Sequence, residues 1–427
     1  MKEPKKIAVV GAGIAGLTCA YKLQKAGVNV IVYEKESAVG GRMSTRKTGS
    51  FPMDIGANHL ANVYTHMQAL AKELELSWRP MEFLNYRILK HGKLTRLLDD
   101  ISSWSKFKMG VQSFLSARKN TDYFDLSTAA KYDTDDAAQF FRARIGQEML
   151  DYVIDPFVSV YQFHRADEIS LGAVHAMLRL QRQGDWTLRH FPGGMIALPQ
   201  ALADKVEVKL NTSVQNIEPK EGGVTITTKH GSETFAAVVA AATADVTAAI
   251  YPAATRGQKE VLKGTAYSAT IGVGFVVPKD TLGEISIVWV PYVENEKIAG
   301  CTNEAMKGGE LITDGKTLLF TWFHEDFARS IIDQSDEEIF ALAKKELPKA
   351  CPFLSAEILA APYDLQRWPT AMPKYNHGHL ERVKNFLSRH QGENNVFFCG
   401  DYLNSPWIEG ALRCGERVAQ AVLARRQ

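Results

Sequence analysis

The sequence predicts an α/β protein. A parallel-sheet, dinucleotide-binding domain is assembled from separated segments, and an α+β domain with a mainly antiparallel sheet is inserted into it. Three observations predict this. Residues 6–16 read Lys-Ile-Ala-Val-Val-Gly-Ala-Gly-Ile-Ala-Gly, a buried strand running into a glycine turn. A second strand, glycine turn and helix start closes the chain between Val396 and Gly415. Between them, nothing after Tyr86 continues a simple alternation of strands and helices.

The first element is the most specific. Ile7–Val10 reads as a strand, Ile14–Ala26 as a helix stopped by Gly27, and Val28–Tyr33 as the next strand. Gly11 permits the tight turn, Gly13 lets the backbone approach a pyrophosphate, and Gly16 lets the helix pack close to the sheet. Ala12, Ile14 and Ala15 complete a loop whose N–H groups sit at the positive end of a helix, where phosphates bind. Glu34 lies 18 residues past Gly16, close to the ~20 expected of a carboxylate that accepts from ribose hydroxyls. Lys35 follows it.

The whole chain sets broad bounds. Its 427 residues, 45% hydrophobic and 23% charged, suit two or three folded domains rather than disorder. A net charge of +2 gives no reason to expect nucleic acid as a partner. Five scattered cysteines show neither metal-ligand spacing nor a disulfide framework, as expected of free thiols in a reducing cytosol. No metal site is expected. The chain runs straight into its first strand, so no targeting peptide is expected before Ile7, and no run of ~18 apolar residues that could span a bilayer occurs in it.

Residues 87–190 are helical in pattern. Asp133 or Thr134 is expected to cap a helix through Ala137–Phe141, and Ser170 another through Leu171–Arg182. Phe191-Pro192-Gly193-Gly194 is a turn before a helix at Ala197–Leu202. Val206–Leu210, Val224–Thr228 and Ala236–Ala242 read as strands. Thr270–Val277, Ile285–Tyr292 and Thr317–Phe323 suggest a second, antiparallel sheet, and Ser335–Glu346 an amphipathic helix. Asn395–Cys399 is a last strand and 408–425 a last helix. The expected division is 1–80, 191–245 and 385–427 for the dinucleotide domain, with 81–190 and 246–384 for the substrate domain.

Two more segments carry chemistry. Gly40-Gly41-Arg42 lets backbone lie against a ligand beside a fixed cation, and Asp54-Ile55-Gly56-Ala57-Asn58 follows. Near the C-terminus, Gly400-Asp401 precedes Trp407-Ile408-Glu409-Gly410-Ala411, a second helix start that offers its positive end to a cofactor.

Together these motifs resemble the flavin-containing amine oxidoreductase superfamily: amine oxidases, protoporphyrinogen oxidases and carotenoid desaturases. Phe191–Gly194, Thr212-Ser213-Val214 and Trp368-Pro369 through Tyr375 support the match. The resemblance covers nearly the whole chain and implies a Rossmann-like domain binding FAD, held non-covalently. By position it implies that Glu34 binds the adenosine ribose and that Val214 touches the adenine. Arg42 faces the flavin side, and Gly56-Ala57-Asn58 lines the ring. Asp401 binds ribityl or pyrophosphate oxygens. The helix from Trp407, with Ile408 and Glu409 in its first turn, points at the flavin pyrimidine.

Flavin oxidation of a substrate needs positioning and exclusion of water more than an acid–base pair. Trp407 and Trp368 suit the aromatic walls of a substrate slot; Trp368 is equally at home in a core, whereas Trp407 is expected in the pocket. His59 follows the flavin-lining segment and is either a structural hydrogen bonder or a base. His164, His190 and His324 are weaker candidates. No lysine occurs in Thr270–Val277 and no cysteine near Trp368–Tyr375, where amine oxidases and their covalently flavinylated members carry them. The resemblance therefore favours an oxidase or dehydrogenase that removes hydride from a small hydrophobic substrate, protoporphyrinogen-oxidase-like or desaturase-like, with oxygen or a quinone as electron acceptor. The alternatives are an amine oxidase acting on a C–N bond, a reduced-flavin isomerase with no net oxidation, and a non-catalytic flavoprotein. Residues 79–119 hold nine Lys/Arg against three acids, with apolar residues interleaved. Such a segment suits either a solvated helical face or weak peripheral contact of a cytoplasmic protein with a membrane.

Overall fold

Ile7–Val10, Val30–Tyr33 and Ala237–Ala240 offer no polar face to solvent, and every residue in them is buried. A sheet covered on both faces takes up such runs. In the computed structural model, which describes residues 6–184 and 186–425, they form the centre of a five-stranded parallel sheet. Its order is Glu207–Lys209, Val30–Tyr33, Ile7–Val10, Ala237–Ala240, Val396–Phe398. Ile7 pairs with both Val30 and Ala237, and Val238 with Val396. Strands from near both ends of the chain thus meet in one sheet. The helices Ile14–Lys25 and Ile408–Ala424 cross closely on it, because a Cβ at Gly415 would lie 2.4 Å from the Ala15 carbonyl oxygen.

A seven-stranded sheet forms a second layer. Its order is Ala361–Trp368, Thr270–Pro278, Lys316–Phe323, Ile298–Asn303, Ile287–Trp289, Tyr86–Lys90, Lys93–Thr95. Every pairing is antiparallel except Ile287–Trp289 against Tyr86–Lys90. Ile271, Val273, Phe275 and Val277 point to one face, where Ile339, Ala343 and Leu347 of the helix Asp336–Ala350 cover them. Ser335 caps that helix by accepting from Glu338 N, and Glu338 returns the bond to Ser335 N. The mixed α/β architecture follows the expected fold class.

The structure corrects several local expectations. The start of the 87–190 segment is a hairpin turning at His91 and Gly92, both at positive φ (50° and 71°), and it joins the seven-stranded sheet. Neither Asp133 nor Thr134 caps the helix Ala137–Arg144. Asp136 does, accepting from Gln139 N at 2.7 Å, while the Asp133 carboxylate accepts from Gly378 N and Glu381 N at the start of another helix. Ser170 caps Leu171–Gln181 as expected. Several strands are not anticipated by the sequence reading, three of them long. Val214–Lys220 carries a bulge that interrupts its alternation, Ile298–Asn303 is small and polar for a buried strand, and Ala361–Trp368 is an edge strand containing Pro362.

Candidate active site

The strand Ile7–Val10 ends in Gly11 at φ 108°, where a Cβ would lie 2.9 Å from the Ala241 carbonyl oxygen. Gly16 is packed tighter still, with its Cβ position 2.1 Å from Gly11 O. Gly13 differs: a Cβ there would meet nothing within 4 Å. It is the N-cap of Ile14–Lys25, and no side chain caps that helix. The bare helix start faces a cavity of about 1560 Å3. Trp407, N-cap of Ile408–Ala424, also lacks a side-chain capping bond, and Trp407 and Ile408 line the same cavity. Two sets of unsatisfied helix N–H groups therefore open onto one space.

Glu34 lines the cavity next to the first helix start. Its carboxylate accepts from Ala12 N at 2.7 Å and from Glu36 N at 3.0 Å, which leaves lone pairs on both oxygens for hydroxyl donors. Lys35 and Val214 line the cavity beside it. Further along, Gly41, Arg42, Gly56, Ala57, Asn58, Gly400 and Asp401 line it as well. Ala12 and Gly16 stand behind the lining and shape it.

Two expected roles change in detail. Arg42 is not an unpaired cation: Nη1 and Nη2 donate to both oxygens of Asp401 at 2.6 and 3.0 Å, and Nη1 also to Ala371 O at 2.7 Å. Asp401 is correspondingly occupied, and also accepts from Tyr402 N. Glu409, expected to contact the cofactor, lies outside the cavity lining. Its fully buried carboxylate accepts from His66 N and Met67 N at the start of the helix Thr65–Glu73 and pairs with Arg413. A carboxylate at a helix N-terminus is well placed electrostatically, so Glu409 ties two helices together.

Behind Asn58 and His59 lies a buried charge cluster that the sequence did not reveal. Lys307 Nζ sits 2.7 Å from Asp54 Oδ2 and 2.7 Å from Glu304 Oε2. Asp54 also accepts from Thr45 Oγ1 and Met195 N, and Glu304 from Thr302 Oγ1 and Asn58 Nδ2. Burial would lower the Lys307 pKa, but its two carboxylate partners push it up to about 12. The Lys307 ammonium in turn holds Glu304 below the usual carboxylate range despite burial. The pieces come from segments over 240 positions apart, so no local spacing could announce them.

The remaining wall is aromatic. Tyr86, Trp289, Tyr161, Phe157, Trp407 and Trp186 all line the cavity and touch ring to ring in that order, at centroid distances of 5.4 to 6.4 Å. Trp407 thus lines the cavity among these rings. Trp368 also lines the cavity, and its indole N–H donates to Ile55 O at 2.6 Å, so it braces the 54–58 segment. His59 packs edge-on against Tyr161. Burial, then Lys307, drives its pKa down to about 4, so it is a neutral imidazole near pH 7 rather than a strong base. His164, His190 and His324 do not line the cavity. Asn58 Oδ1, His59 Nδ1 and Trp289 Nε1 are buried without a hydrogen-bond partner in the protein. A long cavity with two bare helix starts, a carboxylate with lone pairs left for hydroxyl donors, and orphaned polar atoms in its wall fits an extended FAD.

Comparison with known proteins agrees. A profile of the flavin containing amine oxidoreductases matches residues 14–423. A protoporphyrinogen oxidase 2 of Arabidopsis thaliana is 31% identical over 179 residues, 39% of this chain and 34% of that one. This and a tobacco protoporphyrinogen oxidase are thus matched over about a third of their length. The coproporphyrinogen III oxidase of Staphylococcus aureus is 20% identical over 89% of this chain and 90% of its own. Among solved structures, wild-type putrescine oxidase bound to putrescine superposes with a TM-score of 0.80 at 19% identity, covering 99% of both chains. Cyclohexylamine oxidase from Brevibacterium oxydans gives 0.79 at 20%, again over 99% of both. These likenesses establish the fold, and the profile match over nearly the whole chain establishes the family: this chain belongs to the flavin containing amine oxidoreductases and is an FAD-dependent oxidoreductase.

Proposed function

We propose that this enzyme dehydrogenates a hydrophobic, carboxylate-bearing substrate of the porphyrinogen type. One observation carries the reading. Among the described residues lining the cavity, every carboxylate (Glu34, Glu36, Asp245, Asp401) belongs to the nucleotide-binding segments. The part of the lining contributed by 81–190 and 246–384 adds charged residues of one sign only, Lys106, Arg182 and Arg367. An amine or diamine substrate would gain from an acidic group in that part; an anionic one gains from Lys106 and Arg182. Relatives named as protoporphyrinogen and coproporphyrinogen oxidases support the same choice.

The bound FAD supplies the hydride acceptor. The protein's own part is positional. Glu34 and the helix start at Ile14 would hold the nucleotide, and the helix start at Ile408 would favour negative charge at the ring end. The aromatic belt from Tyr86 to Trp186 would orient an apolar ring system and keep water out. Neutral His59 would hydrogen-bond without adding charge. No cysteine lines the cavity among the described residues, which supports a non-covalent cofactor. Oxygen or a quinone would take the electrons.

An amine-oxidase reading draws on the same belt, because Trp407 among Tyr64, Tyr123 and Phe157 could hold a cationic amine. Anaerobic mixing of the FAD-loaded protein with porphyrinogens, polyenes and amines separates the readings. Loss of visible flavin absorbance with a porphyrinogen is expected. Bleaching by amines alone would overturn the proposal. No bleaching by any donor, with FAD bound, would favour a reduced-flavin isomerase instead.

A further inference from the structure

The helix Ser103–Ala117 is built inside out. Its buried residues are Ser105, Gln112 and Ser116; Ser105 bonds to Ser102, while Gln112 donates to Ser116, whose hydroxyl meets His175 Nδ1. Apart from Met109, its large apolar residues face outward: Trp104, Phe107, Val111, Phe114 and Leu115 are 43% to 65% exposed. At 3.6 residues per turn these five fall within a sector of about 100°. Trp104 and Phe107 stack at 5.4 Å, and Arg118 lies 4.5 Å from the Phe114 ring centre. Leu98, just before the helix, is exposed as well. They supply about half of the large exposed apolar side chains among the described residues. Single exposed apolar residues need no explanation, but a contiguous stripe marks a surface that something covers.

Charge selects the occupant. From Ile101 to Thr121 there are four cations (Lys106, Lys108, Arg118, Lys119) and no acid. A second copy docking through this face would set like charges against each other, whereas an anionic bilayer surface complements them. Aromatic rings with basic neighbours are what an interfacial helix presents to headgroups and upper acyl chains. The structure narrows the basic segment seen in the sequence. Lys90 is buried and bonded to Glu148 and Asp100 O, and 86–95 is hairpin, so the docking element is this one helix. No helix among the described residues is long and apolar enough to cross a membrane. The same helix also lines the active-site cavity, through Lys106, Met109, Gly110 and Ser113.

We infer that Ser103–Ala117 docks onto an anionic lipid surface, its Trp104–Leu115 stripe in the interface, and brings the cavity against the membrane. This docking does not depend on which substrate is oxidised. The test is co-sedimentation of the FAD-loaded protein with phosphatidylcholine vesicles, with and without phosphatidylglycerol, at low and high salt. Size-exclusion chromatography without lipid accompanies it. Binding to the anionic vesicles only, weakened by salt, is expected. Phe107→Glu/Phe114→Glu should weaken it at least about tenfold, and Lys108→Glu/Arg118→Glu should abolish its preference for anionic lipid. Both pairs are at the surface, and retained flavin absorbance shows that each variant is folded. No sedimentation of the wild type overturns the inference. So does unchanged sedimentation of the Phe107→Glu/Phe114→Glu variant, or a wild-type dimer that this variant converts to monomer.

Discussion

The Arg42 guanidinium and the Asp401 carboxylate, 359 positions apart, meet in a two-pronged ion pair on the wall of the cofactor cavity. One residue follows the Gly40-Gly41 pair and the other the last strand of the parallel sheet. The pair therefore ties segments near the two ends of the chain together on the cavity wall. Asp401→Ala leaves a half-buried guanidinium without its partner. The expected loss is about 2 kcal/mol, discounted for the exposure of Arg42. FAD should dissociate more readily, read as loss of visible absorbance on gel filtration. Arg42→Ala should do the same, and the double variant should be less than additive.

Gly13 and Gly16 separate cofactor binding from folding. Gly13 has φ −74° and ψ 171°, which any residue adopts, and a Cβ there meets no protein atom. Gly13→Ala should fold with unchanged far-ultraviolet dichroism yet fail to retain FAD. At Gly16 a Cβ would fall 2.1 Å from backbone, so Gly16→Ala should instead reduce soluble, folded protein. Equal behaviour of the two variants would contradict the assignment of Gly13 to the phosphate site.

The nucleotide half was legible because its signals are local. Gly11, Gly13, Gly16 and Glu34 lie within one strand–helix–strand unit whose spacing is set by the ligand. The observed elements there match the expected ones to within two residues. The substrate half was less legible because its strands are short and its residues meet across long separations. Lys307 looks like any lysine until Asp54 and Glu304 close on it. Asp136 and Asp133 are equally good capping residues on paper, and only packing against the helix at His379 decides which one caps. The exposed stripe was visible as interleaved basic and apolar residues, but the sequence could not say which face turned inward.

Trp407 tests the substrate slot. It touches Tyr123 at 4.7 Å and Phe157 and Trp186 at 6.4 and 6.2 Å. Trp407→Ala should keep FAD bound, because the indole packs against aromatic rings rather than against the Gly11–Glu34 segment. It should lower kcat/KM by about 10- to 100-fold by loosening substrate orientation. Trp407→Phe should recover part of the loss. Normal turnover by the alanine variant would remove Trp407 from the site.

Lys307 neutralises two carboxylates at 2% to 4% side-chain exposure. Lys307→Met keeps the volume but leaves Asp54 and Glu304 without their cation. A destabilisation of about 3–5 kcal/mol is expected, read as a lower thermal midpoint, with FAD release following. Adding Glu304→Gln removes one of the stranded charges and should recover part of the stability.

Buried histidines set the acid limit of the fold. Burial pushes His59, His175 and His379 down to about 4 and His324 to about 3. An unfolded histidine titrates near 6.5. As pH falls from about 6.5 toward 4, the unfolded chain takes up protons that the native chain refuses. Stability is therefore full above that window and is lost through it, by up to about 1.4 kcal/mol per pH unit for each histidine. Asp155 and Glu325, whose carboxyls burial raises, act in the opposite sense, since the native chain protonates them first. Four histidines outweigh two carboxyls whose raised values still leave partners in Arg165 and Lys374. The urea midpoint should fall steeply between pH 6.5 and pH 5, before ordinary surface carboxylates titrate. His379→Gln should flatten the slope, because its ring nitrogen bonds only a carbonyl, Tyr402 O, which a glutamine amide can replace. A midpoint that stays level across this window would show that these rings are protonated in the folded state.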